Sequence, residues 1–472
     1  MPRAPHVPGH VSPVLTTLWT NGHAAYLVGG SLRDDLLNRP AFDWDVATDA
    51  RPQRLLALFP GAHYENRFGT VLVPALPGDS VEVTTFRREV GYRDRRRPDH
   101  VEFSDSLVED LGRRDLTVNA IAFGRPGDGQ PGATDGPRLE DPTGGLADLD
   151  ARLLRAVGDP RQRFDEDALR LLRVVRLSAQ LDFAIEPATQ AALVEMAPLV
   201  AQVSAERVGQ ELRKMLAADP PSRGFGALAS TGLLEYVLPV LAAQRGVPQA
   251  KLPGMDLWAH TLATLDAAGR LAPGDETLLL AALLHDIGKP ETLADGHFHG
   301  HEAVGAERAQ ELLHRLAVPR REAAPVVELV RWHMYGYESR WGDAAVRRFI
   351  RTVGRDILPR LFLLREADNL GSGAPADAGG LDELRERVAA ELERGVPLAT
   401  RDLVVDGHIL QAELDLAPGP QLGALLERLL ESVVSNPSRN RREMLLADAR
   451  TWLADGTMAE AAQVTQGSET AS

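Results

Sequence analysis

The stretch at residues 27–48, LVGGSLRDDLLNRPAFDWDVAT, constrains the fold more than any other part of the chain. An apolar run that ends in Gly29 and Gly30 is followed by a short helical segment, and then by Asp43 and Asp45 around a second apolar run. Alternate side chains of a strand share a face, so we expect the two aspartates to point the same way. Carboxylates held side by side repel each other, and a hard divalent cation relieves that repulsion.

The two glycines complete this pattern. Without a Cβ, Gly29 and Gly30 allow a phosphate chain to approach the backbone, whose N–H groups can hold it. A triphosphate bridged by metal to an acidic pair is the chemistry of nucleotidyl transfer. An isolated Asp-x-Asp is usually a solvated strand edge, but the Gly-Gly-x-x-Arg-Asp segment before it favours a nucleotide site.

The bulk composition limits the class of protein. With 472 residues, 44% of them hydrophobic and 25% charged, the chain is long enough for several globular domains. No apolar run is long enough to span a membrane, and the first ten residues lack the apolar core of a signal peptide. The chain has no cysteine, which excludes disulfides and a thiolate zinc site. We therefore expect a cytoplasmic enzyme without a membrane partner.

The net charge of −15 would weaken binding to nucleic acid, but the charge is unevenly distributed. Arginines concentrate in two segments, 87–114 and 152–176. Because local fields position a phosphate backbone, these segments are compatible with an RNA partner. The preference for arginine over lysine along the whole chain is explained more simply by coding bias than by phosphate binding.

The periodicity of the sequence changes near residue 150. Before it, short β-type runs at 70–75, 80–85 and 101–103 alternate with turns and short helices. After it, long amphipathic helices dominate. We therefore expect an α+β N-terminal head followed by all-α domains.

Stretches rich in glycine and proline at 246–256 and 371–380 indicate breaks between domains, and residues 456–472 read as a frayed tail. The predicted division is a head at 1–140, a helical neck at 141–250, a helical domain with metal ligands at 251–375, and a helical tail at 376–472 with a disordered C-terminus.

Two further segments extend the first site. Glu82 alternates with apolar residues, so a strand beside the acidic pair would present it as a third carboxylate, although an ordinary outward-facing residue explains it equally well. In RRDLTVNA (113–120), arginine forks suit phosphate oxygens, and Asp115 and Asn119 suit sugar hydroxyls. Taken alone, this segment is a surface charge cluster in most proteins.

A third segment suits base recognition. In the first long helix, Asp167 and Arg170 are i,i+3 neighbours, and Glu166 is placed to hold the guanidinium. Such fixed donors and acceptors can read the Watson–Crick edge of an incoming base. The simpler interpretation is a helix-stabilising ion pair worth about 0.3–0.5 kcal/mol.

The order of these segments resembles the class II tRNA nucleotidyltransferase and bacterial poly(A) polymerase family, of the polymerase-β-like superfamily. Across residues 24–240, the segments that carry the resemblance are GGSLRD with DWD, RRDLTVNA, DPTGGLADLDARLLR, EDALRLLR and ERVGQELRKML. The resemblance implies a polymerase-β-like head, an all-α neck, and template-independent addition of CCA to tRNA 3′ ends. CTP and ATP would be the substrates and Mg²⁺ the cofactor, with no DNA partner.

The resemblance also implies roles for individual residues. Asp43 and Asp45 would bind the catalytic Mg²⁺. The residues implied to contact the triphosphate and sugar are Gly29, Gly30, Arg33, Arg114, Asp115 and Asn119. Base selection would fall to Asp167 and Arg170. The residues implied to brace the neck helices are Glu166, Glu206 and Arg207.

The segment between the acidic pair and RRD bears on which nucleotides are added. Family members that add only CC are thought to lack a flexible loop there, whereas FRREVGYRDRRRPDHVEF (86–103) keeps one and favours addition of the terminal A. EDALR, which suits both C and A, favours a CCA-adding enzyme. A CC-only enzyme, an A-only enzyme and a poly(A) polymerase are the alternatives.

A second group of metal-ligand residues lies between residues 257 and 370. His285 and Asp286 are adjacent in AALLHDIGKP. The other members are His260, His301, His333 and Asp368. Ligands of this kind and number suit a divalent transition metal, which turns a bound water into a hydroxide nucleophile near neutral pH. A single histidine on an apolar helix is usually structural, but six such residues favour a metal centre.

This group resembles the HD-domain metal phosphohydrolases, which are helical and act on phosphomonoesters or phosphodiesters. The presence of His301 and His333 beside the other four implies two metals rather than one. Some bacterial tRNA nucleotidyltransferases carry such a domain behind the neck. The implied task is removal of a 2′,3′-cyclic phosphate or a 3′-phosphate from damaged tRNA ends. An HD domain without useful activity is the alternative.

Two hypotheses from other classes compete with this interpretation. In one, the phosphohydrolase is the main activity and the head only binds RNA ends. Asp43 and Asp45 argue against it, because a protein that only binds has no need for a repelling pair of carboxylates. In the other, the protein is a non-catalytic tRNA-binding scaffold, and a variant without both aspartates would keep its function.

Overall fold

The structure is a computed structural model that describes residues 4–65, 69–76, 79–90, 100–249 and 252–455. The chain forms two compact units, one of Met1–Ala243 with Arg315–Val318 and the other of Gln244–His314 with Pro319–Ser472.

The first unit contains both strands and helices. Its strands are β1 (Ala25–Val28), β2 (Asp45–Thr48), β3 (His63–Tyr64), β4 (Thr70–Leu76), β5 (Asp79–Thr85), β6 (Arg87–Val90), β7 (His100–Phe103), β8 (Ala122–Arg125), β9 (Arg138–Glu140), β10 (Leu153–Leu154) and β11 (Ala184–Ile185). Its helices are α1 (Ser12–Thr20), α2 (Gly29–Leu36), α3 (Pro52–Leu58), α4 (Leu107–Gly112), α5 (Gly145–Asp150), α6 (Pro160–Glu166), α7 (Leu169–Leu181), α8 (Pro187–Met196), α9 (Ala205–Met215), α10 (Ser222–Ser230), α11 (Leu234–Val237) and α12 (Pro239–Ala242).

A mixed seven-stranded sheet, in the order β3-β4-β5-β2-β1-β8-β9, forms the core of the first unit. β2 and β5 run parallel, and the other neighbouring pairs are antiparallel. The interior strand β1 reads AYLV and is buried throughout, which explains why it carries no charged residue. The register pairs Asp45 with Val28 on one side and with Glu82 on the other. The sheet therefore places two predicted site carboxylates on adjacent strands.

The second unit is built from helices, with one short hairpin. Its elements are α13 (Leu257–Leu271), α14 (Glu276–Leu284), α15 (Lys289–Thr292), β12 (Leu293–Ala294), β13 (His297–Phe298), α16 (His301–Arg315), α17 (Arg320–Trp332), α18 (Asp343–Val353), α19 (Leu358–Gly371), α20 (Leu381–Glu393), α21 (Gly407–Leu414), α22 (Pro420–Ser435) and α23 (Arg442–Ala454). α13 packs closely on α19, because a Cβ at Gly371 would lie 2.4 Å from the hydroxyl of Thr264. Leu425, Leu429 and Val433 of α22 centre a separate apolar core in the tail.

The predicted α+β head followed by helical domains is confirmed. The β-type runs expected at 70–75, 80–85 and 101–103 correspond to β4, β5 and β7. The fourfold domain division stays a prediction, and the expected frayed tail at 456–472 lies outside the described residues. In the part of the chain that the structure describes, no helix is both long and apolar enough to cross a bilayer.

One expectation about the neck is wrong. The sequence predicted Asp167 and Arg170 within one long helix, but α6 ends at Glu166 and α7 begins at Leu169. Asp167 is extended, with φ −146°, and its carboxylate accepts the N–H of Leu169 at 3.1 Å. Two hydrogen bonds from Arg207 hold the same carboxylate. Contacts across the neck therefore position Asp167, and helical spacing does not.

Arg347 of α18 connects three elements of the second unit. Its buried guanidinium donates to Glu391 of α20 at 3.0 Å and to the carbonyl of Ser435 at 3.1 Å. It also donates to the carbonyl of Val434 in α22. The next residue, Arg348, is half exposed and pairs with Glu431 at the surface. The two arginines thus form a natural pair for comparing a buried with an exposed ion pair.

We predict that Arg347→Ala lowers the free energy of unfolding by about 3 kcal/mol, because it removes one partner of a buried carboxylate and leaves two carbonyls without a donor. The control Arg348→Ala should cost less than about 1 kcal/mol. Urea unfolding followed by circular dichroism measures both values. Equal losses for the two variants would contradict this account of the tail.

Candidate active site and candidate metal centre

Three carboxylates lie near one another, on β2, on β5 and in the bend before β2. Asp45 is the first residue of β2 and the register partner of Glu82. Asp43 lies in the bend before β2 rather than within the strand as predicted, since its carbonyl accepts the hydroxyl of Ser31 at 2.6 Å. Burial and the charge of Glu82 raise the pKa of Asp45 to about 6, with a smaller contribution from Asp43 and an opposing one from Arg114. Burial and nearby carboxylates, Asp43 among them, also raise the pKa of Glu82.

Gly29 allows the backbone to approach Asp45. It has φ +84°, a conformation that residues with a Cβ rarely adopt. A Cβ there would lie 3.0 Å from Oδ2 of Asp45 and 3.5 Å from Nη1 of Arg114. A Cβ at Gly30 would lie 3.6 Å from Nη2 of Arg33, which is an ordinary contact. Of the two glycines, Gly29 is therefore the one at which a side chain would displace the carboxylate.

Asp110 of α4 anchors the arginines of the RRD segment. Its buried carboxylate accepts hydrogen bonds from Arg113 at 2.8 Å and from Arg114 at 3.3 Å. Although burial opposes ionisation, the two arginines hold the pKa of Asp110 below its ordinary value. Arg114 is thereby held near Gly29 and Asp45, where its charge partly offsets the repulsion among the carboxylates.

A chain of polar side chains connects α2 with α7. Arg33 pairs with Asp34 and donates to Oδ1 of Asn119 at 2.6 Å, and Nδ2 of Asn119 donates to Asp115 at 3.0 Å. Nε of Arg173 donates to the other oxygen of Asp115 at 2.8 Å. Burial opposes ionisation here too, but Arg173 and Asn119 hold the pKa of Asp115 well below its usual range. Asp115 is therefore a fixed, ionised group.

Arg170 is held by three acceptors. Nη1 donates to Glu166 at 2.6 Å and to the carbonyl of Arg163 at 3.2 Å, and Nη2 donates to the carbonyl of Arg113 at 3.1 Å. The contact with Glu166 is the one that the sequence suggested. These bonds fix the plane of the guanidinium. Arg170 can therefore donate hydrogen bonds to a ligand in a defined direction, beyond attracting a negative charge.

Of the three residues expected to brace the neck, Glu166 and Arg207 make contacts at the site, and Glu166 accepts the hydrogen bond from Arg170 described above. Arg207 of α9 forms two hydrogen bonds with Asp167, at 2.7 and 3.2 Å. Glu206, the residue before it, lies on the exposed side of α9. The contact of Arg207 ties α9 to the break between α6 and α7.

A cavity of about 710 Å³ within the first unit brings these groups together. All eight residues predicted to contact the nucleotide line it: Gly29, Gly30, Arg33, Arg114, Asp115, Asn119, Asp167 and Arg170. Its basic lining residues are Arg33, Arg87, Arg113, Arg114, Arg170, Arg173, Arg176, Arg207 and Lys214. Its acidic ones are Asp34, Asp45, Asp115 and Asp167. Nine cations against four carboxylates give this cavity the charge that a polyphosphate requires, despite the net negative charge of the chain.

Several residues that line the cavity were not predicted from the sequence. Arg173, Arg176 and Gln180 continue along α7 from Arg170, and Lys214 faces them from α9. The spacing of three between successive arginines was visible in the sequence and places them on one side of a helix.

Six side chains form a second centre, in the second unit. His260, His285 and Asp368 make one group and Asp286, His301 and His333 another, each with ligand atoms within 4.8 Å of one another. Asp286 joins the groups, with Oδ2 3.1 Å from Nε2 of His285 and Oδ1 3.4 Å from Nε2 of His301. The carboxylates of the head form no group this tight among the described residues. All six predicted ligands therefore converge, in an arrangement that suits two cations.

Backbone carbonyls orient three of these imidazoles. Nδ1 of His285, His301 and His333 lies 2.8, 2.7 and 2.7 Å from the carbonyl oxygen three residues earlier. With Nδ1 as the donor, Nε2 presents its lone pair to the centre. Burial lowers the pKa of His285, so the ring is neutral and able to ligate. Burial opposes ionisation of Asp286, but the histidines hold its pKa well below the ordinary value. This donor set fits a divalent transition metal.

Three family models match the chain. The Poly A polymerase head domain matches residues 25–155, the probable RNA and SrmB-binding site of polymerase A matches 182–245, and the HD domain matches 257–372. The CCA-adding enzyme of Enterococcus faecalis is 32% identical over 453 residues, which cover 95% of this chain and 97% of that enzyme. The CCA-adding enzyme of Bacillus licheniformis is 44% identical over 257 residues, which span 52% of this chain and 62% of that enzyme.

Solved structures show the same architecture. The CCA-adding enzyme of Bacillus stearothermophilus in complex with CTP is 28% identical, with a TM-score of 0.62 over 95% of this chain and 99% of that one. The Thermotoga maritima enzyme complexed with tRNA_CCA, at 17% identity and a TM-score of 0.58 over 95% of this chain and 96% of that one, shares the fold. Fold and site thus define a nucleotidyltransferase that carries an HD domain. The chain belongs to the family of CCA-adding enzymes and bacterial poly(A) polymerases.

We predict that Asp45→Asn abolishes nucleotide addition yet raises the free energy of unfolding at pH 7.5 by about 1–3 kcal/mol in metal-free buffer. A carboxyl whose pKa rises from 3.8 to about 6 on folding binds its proton more tightly in the folded protein. Its stabilising contribution is complete below pH 4 and lost as the pH rises through 6, and the neutral amide avoids that loss.

Thermal unfolding at pH 4.5 and pH 7.5 tests this prediction, with the exposed Asp43→Asn as the control. The gain from Asp45→Asn should be largest at pH 7.5 and should exceed that of the control. A gain that does not depend on pH, or a net loss at pH 7.5, would show that Asp45 is not held at an unfavourable position.

Proposed function

We propose that this protein adds CCA to the 3′ ends of tRNA from CTP and ATP without a nucleic-acid template. The proposal rests on one observation: Asp45, an excess of cationic side chains and the fixed pair Asp167 and Arg170 all line the same cavity. The CCA-adding enzymes similar to this chain over nearly its full length, and the related structure in complex with CTP, support the choice of reaction and substrates.

The reaction joins the 3′-oxygen of the RNA to the α-phosphorus of the nucleotide, and the bond from that phosphorus to pyrophosphate breaks in line. Asp43 and Asp45 would hold Mg²⁺, with Glu82 as a third carboxylate. When bound, the cation supplies Lewis-acid stabilisation of the charge that develops on the oxygens. The backbone at Gly29 and the guanidinium of Arg114 are placed to bind phosphate oxygens beside these carboxylates.

Arg33, Asp115 and Asn119 would orient the sugar and phosphates of the incoming nucleotide. They form one hydrogen-bonded chain from α2 to α7 and line the same cavity. Because Arg173 fixes Asp115 from the far side, the chain is rigid before the nucleotide binds. Rigid positioning of this kind supplies much of the rate enhancement in phosphoryl-transfer enzymes.

Base choice follows from donors and acceptors. Asp167 accepts hydrogen bonds and Arg170 donates them, so together they match a base that carries an exocyclic amine beside a ring acceptor. Cytosine and adenine have that pattern, whereas uracil and guanine present an oxygen where the amine would be. A pair held by Glu166 and Arg207 therefore selects C and A and rejects U and G.

Addition of the terminal A depends on the loop expected at 86–103. β6 and β7 of that segment pair antiparallel, and residues 91–99 lie outside the described residues. The loop therefore stays a prediction from the sequence. A CC-only enzyme, an A-only enzyme and a poly(A) polymerase are the competing outcomes for this site.

We predict that Arg170→Ala reduces the preference for CTP over UTP, and for ATP over GTP, by about tenfold or more. Affinity for tRNA should change less than twofold, because the variant removes a base contact rather than a backbone contact. Single-nucleotide incorporation with each nucleotide measures the preference. Arg161→Ala, which removes an exposed arginine of the neck, is the control. Equal loss of rate with all four nucleotides would contradict base selection by Arg170.

For the second centre, we propose metal-dependent hydrolysis of phosphate at RNA 3′ ends. His260, His285 and Asp368 would hold one divalent transition metal and His301, His333 and Asp286 the other. The fit rests on imidazoles that backbone carbonyls orient and on a carboxylate that reaches both groups. The bound metal would supply a hydroxide nucleophile.

We predict that His285→Ala combined with Asp286→Ala removes bound metal and metal-dependent phosphatase activity but spares nucleotide addition. The converse variant, Asp45→Ala, should lose addition and keep the phosphatase, because the two sets of ligands share no residue. Metal content per chain after gel filtration gives a readout besides activity. Full phosphatase activity in the double variant would contradict the assignment of this centre.

A further inference from the structure

A second cavity, of about 210 Å³, lies within the second unit beside α19. The residues that line it include Tyr335, Tyr337, Arg365, Ala378, Leu381 and Leu384. Pockets for drug-sized ligands measure about 300–1,000 Å³, so this one suits a single ring system rather than a whole nucleotide. No role in the reactions proposed above accounts for it.

The cavity is adjacent to the six-ligand centre. Arg365 precedes Asp368 by three residues in α19, so their side chains leave the helix about 5–6 Å apart. Tyr335 follows His333 by two residues at the end of α17. Two of the segments that supply metal ligands therefore also supply walls of the cavity.

Arg365 is held flat against an aromatic ring. Its guanidinium carbon lies 4.7 Å from the ring centroid of Tyr335, and Nη2 donates to the carbonyl of that residue at 2.6 Å. The ring of Tyr335 is itself fixed by Phe349, at a centroid distance of 5.2 Å, and by Phe362 at 6.4 Å. Among the described residues, no carboxylate forms an ion pair with Arg365. Its contacts are therefore with Tyr335, and among the described residues no carboxylate neutralises its charge.

Polar groups in the wall complete the site. The hydroxyl of Tyr335 is buried beside the guanidinium of Arg365, which interacts with it without forming a well-aligned hydrogen bond. The ring of Tyr337 packs on the backbone, since a Cβ at Gly380 would lie 3.2 Å from it. Trp341 fixes the same ring edge-on at 5.4 Å. The cavity therefore combines rigid aromatic and guanidinium planes with hydrogen-bond donors.

We propose that this cavity binds the base of the 3′-terminal nucleotide whose phosphate is hydrolysed at the six-ligand centre. Unpaired RNA bases are recognised by stacking on tyrosine rings or arginine planes and by hydrogen bonds to their edges. Arg365 supplies the plane and donors, and Tyr335 supplies the hydroxyl. The assignment rests on the proposed phosphohydrolase function, and it makes the hydrolase specific for a nucleoside end rather than for any phosphate.

The test compares two substrates with the same reacting group in the metal-loaded, full-length protein. One is 2′,3′-cyclic AMP and the other is ribose 2,3-cyclic phosphate, which has no base. Arg365→Ala and the cavity-filling Ala378→Phe should each raise the KM for cyclic AMP about tenfold and change the KM for the base-free substrate less than twofold. Arg360→Ala, in the same helix but paired with Asp275 outside the cavity, is the matched control and should behave as the unsubstituted protein.

Equal effects of the variants on both substrates would overturn the base site while leaving the phosphohydrolase intact. If the unsubstituted protein hydrolyses neither substrate, the phosphohydrolase proposal fails. The base site is then judged by calorimetric titration of 2′,3′-cyclic AMP, with excess inorganic triphosphate, which has no base, present to occupy the head. A Kd at least fivefold weaker in Ala378→Phe would support the base site. The same Kd in both proteins, or no binding to either, would overturn it.

Discussion

The unfavourable position of the Asp45 carboxylate is the constraint on which the head depends. It lies at the start of β2, beside Glu82 and against the backbone of Gly29, where burial and like charge raise its pKa to about 6. A sequence selected for stability alone would be expected to have a neutral side chain at this position. The surrounding structure instead holds the charge in place, with Arg114 as the nearest compensating cation. A divalent cation bound to these carboxylates would relieve their repulsion and could bind the oxygens of a triphosphate at the same time.

The other residues of the first cavity allow the Asp45 carboxylate to lie beside a bound polyphosphate. The cations of the cavity are fixed in turn by buried acids: Asp110 holds Arg113 and Arg114, and Asp115 holds Arg173. Each acid is ionised because its arginine overcomes the cost of burial. The lining therefore carries an excess of positive charge, part of it on arginines that buried acids hold in place, and this explains how a chain of net charge −15 presents a cationic site.

Local patterns predicted much of this protein. Strand alternation and the Gly-Gly turn located β1, α2 and Asp45, and the order of histidines and aspartates predicted all six residues of the second centre. What the sequence missed depends on contacts between distant segments. The break at Asp167 arises from Arg207, forty residues later, and the role of Arg173 depends on Asp115. The position of Asp286 between the two groups depends on how α14, α16 and α17 pack together, which the sequence pattern does not specify.

Extension of tRNA transcripts tests the central claim most directly. Three transcripts, ending before CC, after the first C and after CC, would be incubated with CTP alone, ATP alone and both. The account predicts that the shortest transcript is completed to CCA and that extension stops at A. Arrest at CC, or extension of only the CC-ended transcript, would show one half of a split pair of enzymes. Long tracts of A would show a poly(A) polymerase and would contradict the proposed addition of CCA.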